Sequence, residues 1–525
     1  MKKIIVVGGG SAGWMTAATL LKQFPNKDIT LIESPNIATV GVGESTIGGL
    51  RAWANWLGID DKHFLKHTDG IYKLSIKFSD FYKKGEAFHY PFGAPHLEGN
   101  LALLNDWWFK KFYYTDTPYS DYVDCHYPQM ALVNGNKCFY NEDNEIPFKF
   151  NINTAYHFDA TKFGIWLRDY YCLPRGLKHV KEEIVSIEQD ESGIASLNNK
   201  YKADLYIDCT GFKSLLLGKT LKEPFESYAD MLPNNSAWAT RIPYTNKEKE
   251  LVGYTNCTAI QNGWVWNIPL WNRIGTGYVY SDRFVGDEDA LKEFQQYLGT
   301  DELEFINIKM RVGLHNRLWV KNVVAIGLSA GFIEPLESNG LFTVHEFLMI
   351  LLRNIQRDKF SQFDRDSYNY QAKHLFRNFA EFVALHYALS HRDDTEYWKA
   401  NLNKNWDERL VSLAPTFTRG IVHAVDRRAH GFHFPEGEGL HCIAAGMHWS
   451  PTDLSTILHN NNYTAEEHRK IVEPFIQRLN KRKGQWNLVA KKQPSLYEFL
   501  KTNIYNTCEL GRNVSPKKIL VPEIS

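Results

Sequence analysis

Three glycines and one acid near the start of the chain have the spacing that holds a dinucleotide. Gly8, Gly10 and Gly13 fill the pattern G-x-G-x-x-G, with Ser11 and Ala12 before the last glycine, and Glu33 follows about 20 residues later. The first glycine permits a tight turn, the second lets backbone approach a pyrophosphate, and the third lets helix pack on strand. Phosphates then sit at the helix N-terminus, and a carboxylate at residue 33 accepts hydrogen bonds from a ribose diol.

A second candidate lies far along the chain, at Glu337-Ser338-Asn339-Gly340. Ser338 or Asn339 is a natural N-cap, and the amides of Asn339 and Gly340 would point out of a helix start, where an anion, water or the preceding loop can accept from them. Glu337 would at the least place favourable charge at that helix end. Lys73 is less conspicuous. In Tyr72-Lys73-Leu74-Ser75-Ile76-Lys77-Phe78, strict alternation puts Lys73, Ser75 and Lys77 on one face, and the plain reading is a half-solvated strand.

The elements that must carry these residues are legible. Lys2–Val7 reads as a strand, Gly8–Gly13 as a turn, Trp14–Lys22 as a helix and Asp28–Glu33 as a second strand. Thr39–Thr46, which includes Gly43 and Glu44, is too rich in glycine for a regular element and reads as a loop near the cofactor. Tyr156 through Leu167 carries strand and then helix patterning. Ala203–Asp208 is an apolar strand running into Cys209-Thr210-Gly211, the carboxyl edge where doubly wound folds hold ligands. Val323–Ile326 is another strand, followed by Gly327 and Leu328. After Asn339 a long helix carries Leu341, Val344, Phe347, Leu348, Leu351 and Ile355 on one face. Phe88–Gly93 and Asn105–Phe109 gather many rings, in a ligand pocket or in a core.

Composition narrows the classes. The chain has 525 residues, enough for two or three domains, and 60 basic side chains balance 60 acidic ones, so no net field draws nucleic acid or an anionic membrane. Aromatics make up 14% of residues, with 15 tryptophans, which suits aromatic-lined surfaces as well as a bulky core. The 7 cysteines are scattered without C-x-x-C spacing, so a reduced cytoplasmic protein is expected, with neither a disulfide framework nor a zinc site. His386 and His391 are too poorly spaced for one metal-binding helix face. Glycines 8 to 10 interrupt the first apolar run after four residues, so no signal peptide is expected there, and no run approaches the roughly 18 apolar residues of a membrane helix, so a soluble protein is expected.

The chain resembles the flavin-dependent tryptophan halogenases. The resemblance rests on Gly8-x-Gly10-x-x-Gly13, Gly41-Val42-Gly43-Glu44-Ser45-Thr46, Lys73 in Tyr-Lys-Leu-Ser-Ile-Lys-Phe, and Asp208-Cys209-Thr210-Gly211-Phe212. It rests most of all on Trp264-Val265-Trp266-Asn267-Ile268-Pro269, a match to the W-x-W-x-I-P signature that separates halogenases from flavin monooxygenases. Pro335–Gly340 and Arg392–Trp398 complete the set.

The resemblance implies FAD, held by Gly8, Gly10, Ser11, Ala12, Gly13, Glu33, Gly43, Glu44, Gly327 and Leu328. It implies that halide is oxidised to hypohalous acid beside the flavin and that this oxidant passes through the protein to a lysine next to an aromatic substrate. Lys73 matches that lysine and Glu337 the essential glutamate, which orients the oxidant and takes the ring proton. The amides of Asn339 and Gly340 match the halide site, and Trp264, Trp266, Ile268 and Pro269 shield the substrate side from monooxygenation. Asn339 stands where family members usually carry threonine. The C-terminal clamp of tryptophan-specific members has no counterpart at Gly439–Ile443, so indoles, phenols and other electron-rich arenes stand beside free tryptophan as substrates.

Two other readings share the fingerprint. A flavin aromatic monooxygenase would be expected to lack W-x-W-x-I-P, and a non-catalytic flavin-binding protein would carry Lys73 and Glu337 as incidental surface charges. No second G-x-G-x-x-G is present for a nicotinamide, so a separate flavin reductase is expected, without a stable complex; a homo-oligomer stays open. The expected fold is α/β: a doubly wound FAD-binding body over residues 1–360, with interleaved substrate-side segments at 61–150 and 221–305 forming a second sheet, and a mainly helical covering region over 361–525.

Overall fold

The computed structural model describes residues 1–36, 43–96, 106–357, 359–406, 439–448 and 462–507. Residues 39–42 of the expected glycine loop, Asn105 and Cys508 lie outside them. The first sheet runs in the order Trp319–Val320, Val323–Ala325, Leu205–Asp208, Lys3–Val7, Asp28–Glu33, Lys178–Lys181. All its pairings are parallel except the first, and Val7 stands opposite both Asp208 and Ile32. The first apolar run is a central strand, with Ile4, Ile5 and Val6 wholly buried. Such continuous apolar strands are what a parallel sheet covered on both faces requires. The helix Ser11–Gln23 returns the chain between the first two strands, as expected.

A second, larger sheet has the order Ile306–Lys309, Ser236–Ile242, Ile274–Tyr280, Gly263–Pro269, Tyr254–Ala259, Ser75–Ser79, Ala87–Pro91. The W-x-W-x-I-P stretch is its central strand, Gly263–Pro269, hydrogen-bonded on both sides. A small sheet of Glu44–Ser45, Ala155–Phe158 and Ile71–Lys73 joins the two regions. The segment from Tyr156 is strand and then helix: Asp159 caps Ala160–Trp166 by accepting from the Lys162 amide at 3.0 Å.

The alternating stretch around Lys73 departs from expectation. It is two strands, Ile71–Lys73 and Ser75–Ser79, and the chain changes sheets at Leu74. Lys73 and Ser75 are both fully buried, not half-solvated, because chain from elsewhere covers the face that alternation assigned to water. Only Lys77 retains part of that exposure.

The helix Gly340–Asn354 buries Leu341, Val344, Phe347, Leu348 and Leu351, with Ile355 closing its end. The described part of 361–525 is mostly helical: Gln362–Ala388, Glu396–Leu402, Gly439–Gly446, Ala465–Lys491 and Leu496–Leu500. The segment Gly439–Gly446 is a buried helix whose Gly446 abuts the Phe88 ring and whose Gly439 abuts Tyr90. Phe88, Tyr90, Phe92, Trp107 and Trp108 are all buried. Six cysteines are free and buried among the described residues, and no helix there is long and apolar enough to cross a membrane.

Candidate active site

A cavity of about 560 Å³ opens at the carboxyl end of the parallel sheet. Gly8, Gly10, Ser11, Ala12 and Glu33 line one part, and Gly43, Glu44, Gly327 and Leu328 another. Trp264, Trp266, Ile268, Asn339 and Gly340 line its far side. Two sheets and a helix start thus bring residues some 300 positions apart to one space, at the sheet edge where doubly wound folds hold ligands. Gly13, Lys73, Glu337 and Pro269 do not reach it.

The fingerprint glycines divide the labour by geometry. Gly8 takes a φ of +116°, open to glycine and costly for other residues. A Cβ on Gly13 would stand 1.9 Å from the Gly8 carbonyl oxygen, so this glycine exists for close packing. A Cβ on Gly10 would meet nothing within 4 Å, because it points into open space. That empty cradle, continuous with the cavity, is what a pyrophosphate needs. Gly9, which the pattern treats as free, is also constrained: a Cβ there would fall 1.6 Å from Glu33 Oε2. The run of three glycines was the only sequence signal of this. The other Glu33 oxygen accepts from His179 Nε2 at 2.8 Å, which steadies the carboxylate at the cavity edge.

Other acids around the cavity differ in what holds them. The Asp208 carboxylate is used by the chain itself, accepting from the amides of Thr210, Leu216 and Leu217, and so shapes the strand end. Burial, then the neighbouring Asp159, pushes Glu44 up to about 7. Its side chain retains partial exposure, but the space it faces is the cavity and not bulk water. Glu334 is fully buried and accepts from Trp264 Nε1 at 2.7 Å, Asn234 Nδ2 at 2.8 Å and Tyr387 Oη at 2.8 Å, which locks the Trp264 ring. Burial raises its pKa despite those donors.

At the far end the chain forms a short 3₁₀ turn, Pro335–Glu337, then Ser338 in a left-handed conformation (φ +57°), then the helix. Asn339 occupies the N-cap position, but its side chain caps nothing, and its buried Oδ1 has no hydrogen-bond partner among the described residues. The amides of Asn339 and Gly340 likewise donate to no group there, although the Asn339 carbonyl accepts from Thr343. Free amides at a helix start beside a cavity are a fit site for a small anion.

Lys73 and Glu337 lie just behind this end. Lys73 Nζ donates to the Thr46 carbonyl at 2.8 Å and to Ser338 Oγ at 2.9 Å, and it sits 4.9 Å from the centre of the Phe92 ring. Ser338 and Ser45 both line the cavity, so a single layer of hydroxyls separates Lys73 from it. Glu337 is 1% exposed. His386 Nε2 approaches its Oε1 to 2.9 Å without the alignment of a hydrogen bond, and neither Glu337 oxygen has a hydrogen-bond donor among the described residues. Both charges being buried, neither is the incidental surface charge of a passive flavin carrier. His386 was missed as a site residue, for it lies 49 positions from Glu337 and only folding joins them.

The residues of the cavity fit FAD: the open glycine cradle at Gly10 and the Glu33 carboxylate both line it. A family model described as tryptophan halogenase matches residues 3–463. The tryptophan 6-halogenase ThaL of Streptomyces albogriseolus is 30% identical over 536 residues, covering 95% of this chain and 98% of that protein. The solved apo structure of VirX1 is similar with a TM-score of 0.87 at 37% identity, covering 96% of this chain and 100% of its own. BrvH, a flavin-dependent halogenase from Brevundimonas sp. BAL3, gives a TM-score of 0.84 at 27% identity over 96% and 99%. Relatives that run the length of the chain, over a family match that includes every wall of the cavity, place this protein in the tryptophan halogenase family as an FAD-dependent halogenase.

Proposed function

We propose that the enzyme installs halide on a small electron-rich arene, such as an indole, a tryptophan-like compound or a phenol, with hypohalous acid made on one side of the hydroxyl layer and used on the other. The observation that carries this reading is the place of Lys73, buried and one Ser338 hydroxyl away from the cavity. Bound reduced FAD supplies the two electrons that, with two from halide, reduce oxygen to water. The glycine cradle and Glu33 hold the cofactor, and the amides of Asn339 and Gly340 hold the halide. Trp264, its ring held by Glu334, lines the cavity with Trp266 and Ile268, and on this reading the three keep the arene away from the flavin.

On the arene side, Lys73 donates a hydrogen bond to the oxidant or, deprotonated, carries the halogen as a haloamine. The ring C–H breaks as C–halogen forms, and Glu337 takes the ring proton and passes it on. It goes to the hydroxide that hypohalous acid leaves, which becomes water, or, on the haloamine route, where water left as N–halogen formed, back to the Lys73 amine. Reduced flavin arrives from a separate reductase without a stable complex, in the cytoplasm; no nucleic acid or membrane takes part. Incubation with a flavin reductase, FAD, NADH, oxygen and bromide tests the proposal against a panel of indoles and phenols read by mass spectrometry. A bromine isotope pattern that disappears without bromide or in Lys73→Ala supports it. Hydroxylated product in its place would identify a monooxygenase.

A further inference from the structure

A row of hydrogen bonds leads away from Lys73 and ends on a main-chain carbonyl. Lys73 Nζ lies 2.9 Å from Ser338 Oγ, and Ser338 Oγ lies 3.0 Å from Ser45 Oγ. Ser45 Oγ is 2.6 Å from Thr255 Oγ1, which is 2.8 Å from His157 Nε2. His157 Nδ1 is 3.1 Å from the carbonyl oxygen of Pro269, the last residue of the W-x-W-x-I-P strand. The members come from the strands Ile71–Lys73, Glu44–Ser45, Tyr254–Ala259 and Ala155–Phe158 and from the turn before the helix Gly340–Asn354. Lys73 and His157 are fully buried, and Thr255 and Ser338 nearly so.

The two ends fix the direction of the whole row. A carbonyl only accepts, so His157 Nδ1 carries its proton. Burial, and then the charge of Lys73, hold the imidazole well below its ordinary range, so it is neutral and Nε2 is an acceptor. Thr255 must then donate to Nε2. Having one proton to give, it accepts from Ser45, and Ser45 in turn accepts from Ser338. Ser338 Oγ is left with lone pairs toward Lys73, whose ammonium can only donate. Reversing any one hydroxyl sets two protons or two lone pairs against each other at these distances.

We infer that His157, acting through Thr255 and Ser45, is a positioning residue that keeps Ser338 Oγ an acceptor for Lys73 and so fixes the orientation of the ammonium. The row does a second thing. Ser45, Thr255 and Ser338 line the cavity, so these hydroxyls, their protons already committed along the row, form the wall between it and Lys73. A gap in the row leaves an unmatched polar group there for water to fill, and an oxidant crossing such a wall meets water before it meets Lys73. The inference rests on the proposed role of Lys73.

The experiment compares Thr255→Val, which keeps the shape and removes the hydroxyl, with Thr255→Ser, which keeps the hydroxyl. Holoenzyme, reductase, bromide and an arene brominated by the unaltered enzyme are used, and brominated arene is measured per flavin oxidised. Loss of the two hydrogen bonds made by the Thr255 hydroxyl, to Ser45 and to the neutral His157, is expected to lower that ratio by roughly tenfold or more in Thr255→Val. KM for the arene and flavin content stay unchanged, and Thr255→Ser recovers most of the loss. Ser45→Ala should repeat the effect from another strand. A normal ratio in both Thr255→Val and Ser45→Ala overturns the inference, as does an equal loss in Thr255→Val and Thr255→Ser, which would make packing the cause.

A readout without turnover separates this idea from the reading it rests on. The imidazole ¹⁵N spectrum of the holoenzyme should show His157 as the neutral Nδ1–H tautomer near pH 7, with its Nε2 resonance displaced in Thr255→Val. An imidazolium or Nε2–H form overturns the row even where halogenation is normal. The expected spectrum in an enzyme that fails to brominate any arene would leave the row standing and overturn the proposed function.

Discussion

Lys73 Nζ and Ser338 Oγ meet at 2.9 Å across 265 residues of sequence, and the meeting depends on a left-handed serine. Non-glycine residues adopt that conformation at a cost, and such costs gather where function fixes the geometry. Here it turns the chain so that Ser338 meets Lys73 while the next two residues, Asn339 and Gly340, line the cavity.

Lys73→Ala should abolish halogenated product while FAD binding persists, because Lys73 touches Ser338 and Thr46 and does not line the cofactor cavity. Flavin absorbance, melting temperature and product mass on one preparation check it. Unchanged halogenation would remove Lys73 from the reaction.

The fingerprint glycines should fail in different ways. Gly10→Val is expected to fold normally and lose FAD, since its side chain enters only open space. Gly13→Val should not give folded protein, because its Cβ meets the Gly8 carbonyl. Gly9→Ala should fold with weakened FAD affinity, as it displaces the Glu33 carboxylate from its place beside His179. Flavin titration against circular dichroism distinguishes the three, and full FAD occupancy in Gly10→Val would mean that the phosphates bind elsewhere.

These contrasts mark how far the sequence reaches. The strand, turn and helix at residues 3–23 and the helix Gly340–Asn354 were legible because apolar periodicity and glycine spacing are local signals. Lys73 was misplaced onto a solvated face because alternation reports the local pleat and is silent about chain arriving from residues 155–158, 254–259 and 338. The same limit hid His157 and Thr255, whose contact spans 98 positions, and His386, whose partner lies on a different element. Asn339 was expected as a possible cap by residue type, yet its side chain caps nothing.

Glu44 gives a pH signature. Its pKa is raised to about 7 by burial and Asp159, against an unfolded value of 4.5, so the native state holds the proton more tightly than the unfolded chain. Its contribution to stability is therefore present at low pH and is lost as pH rises from about 4.5 through 7. In the FAD-free protein, Glu44→Gln should melt close to the unaltered protein at pH 5 and above it at pH 8. A melting difference that does not change with pH would show that Glu44 ionises normally.

Glu337→Gln separates structure from chemistry at the other end of the site. As charge at a helix N-terminus alone, Glu337 is worth roughly 0.3–1 kcal/mol, and its loss would lower the melting temperature slightly and leave turnover intact. The geometry argues for more: the side chain is buried beside His386, and its oxygens receive no hydrogen bond from the described residues, which leaves them for the oxidant and the ring proton. Glutamine keeps the size and removes the base, so turnover should fall roughly a hundredfold or more. Flavin content should hold, because Glu337 does not line the cavity. Normal product formation with a lowered melting temperature would assign Glu337 to the helix end and to His386 alone.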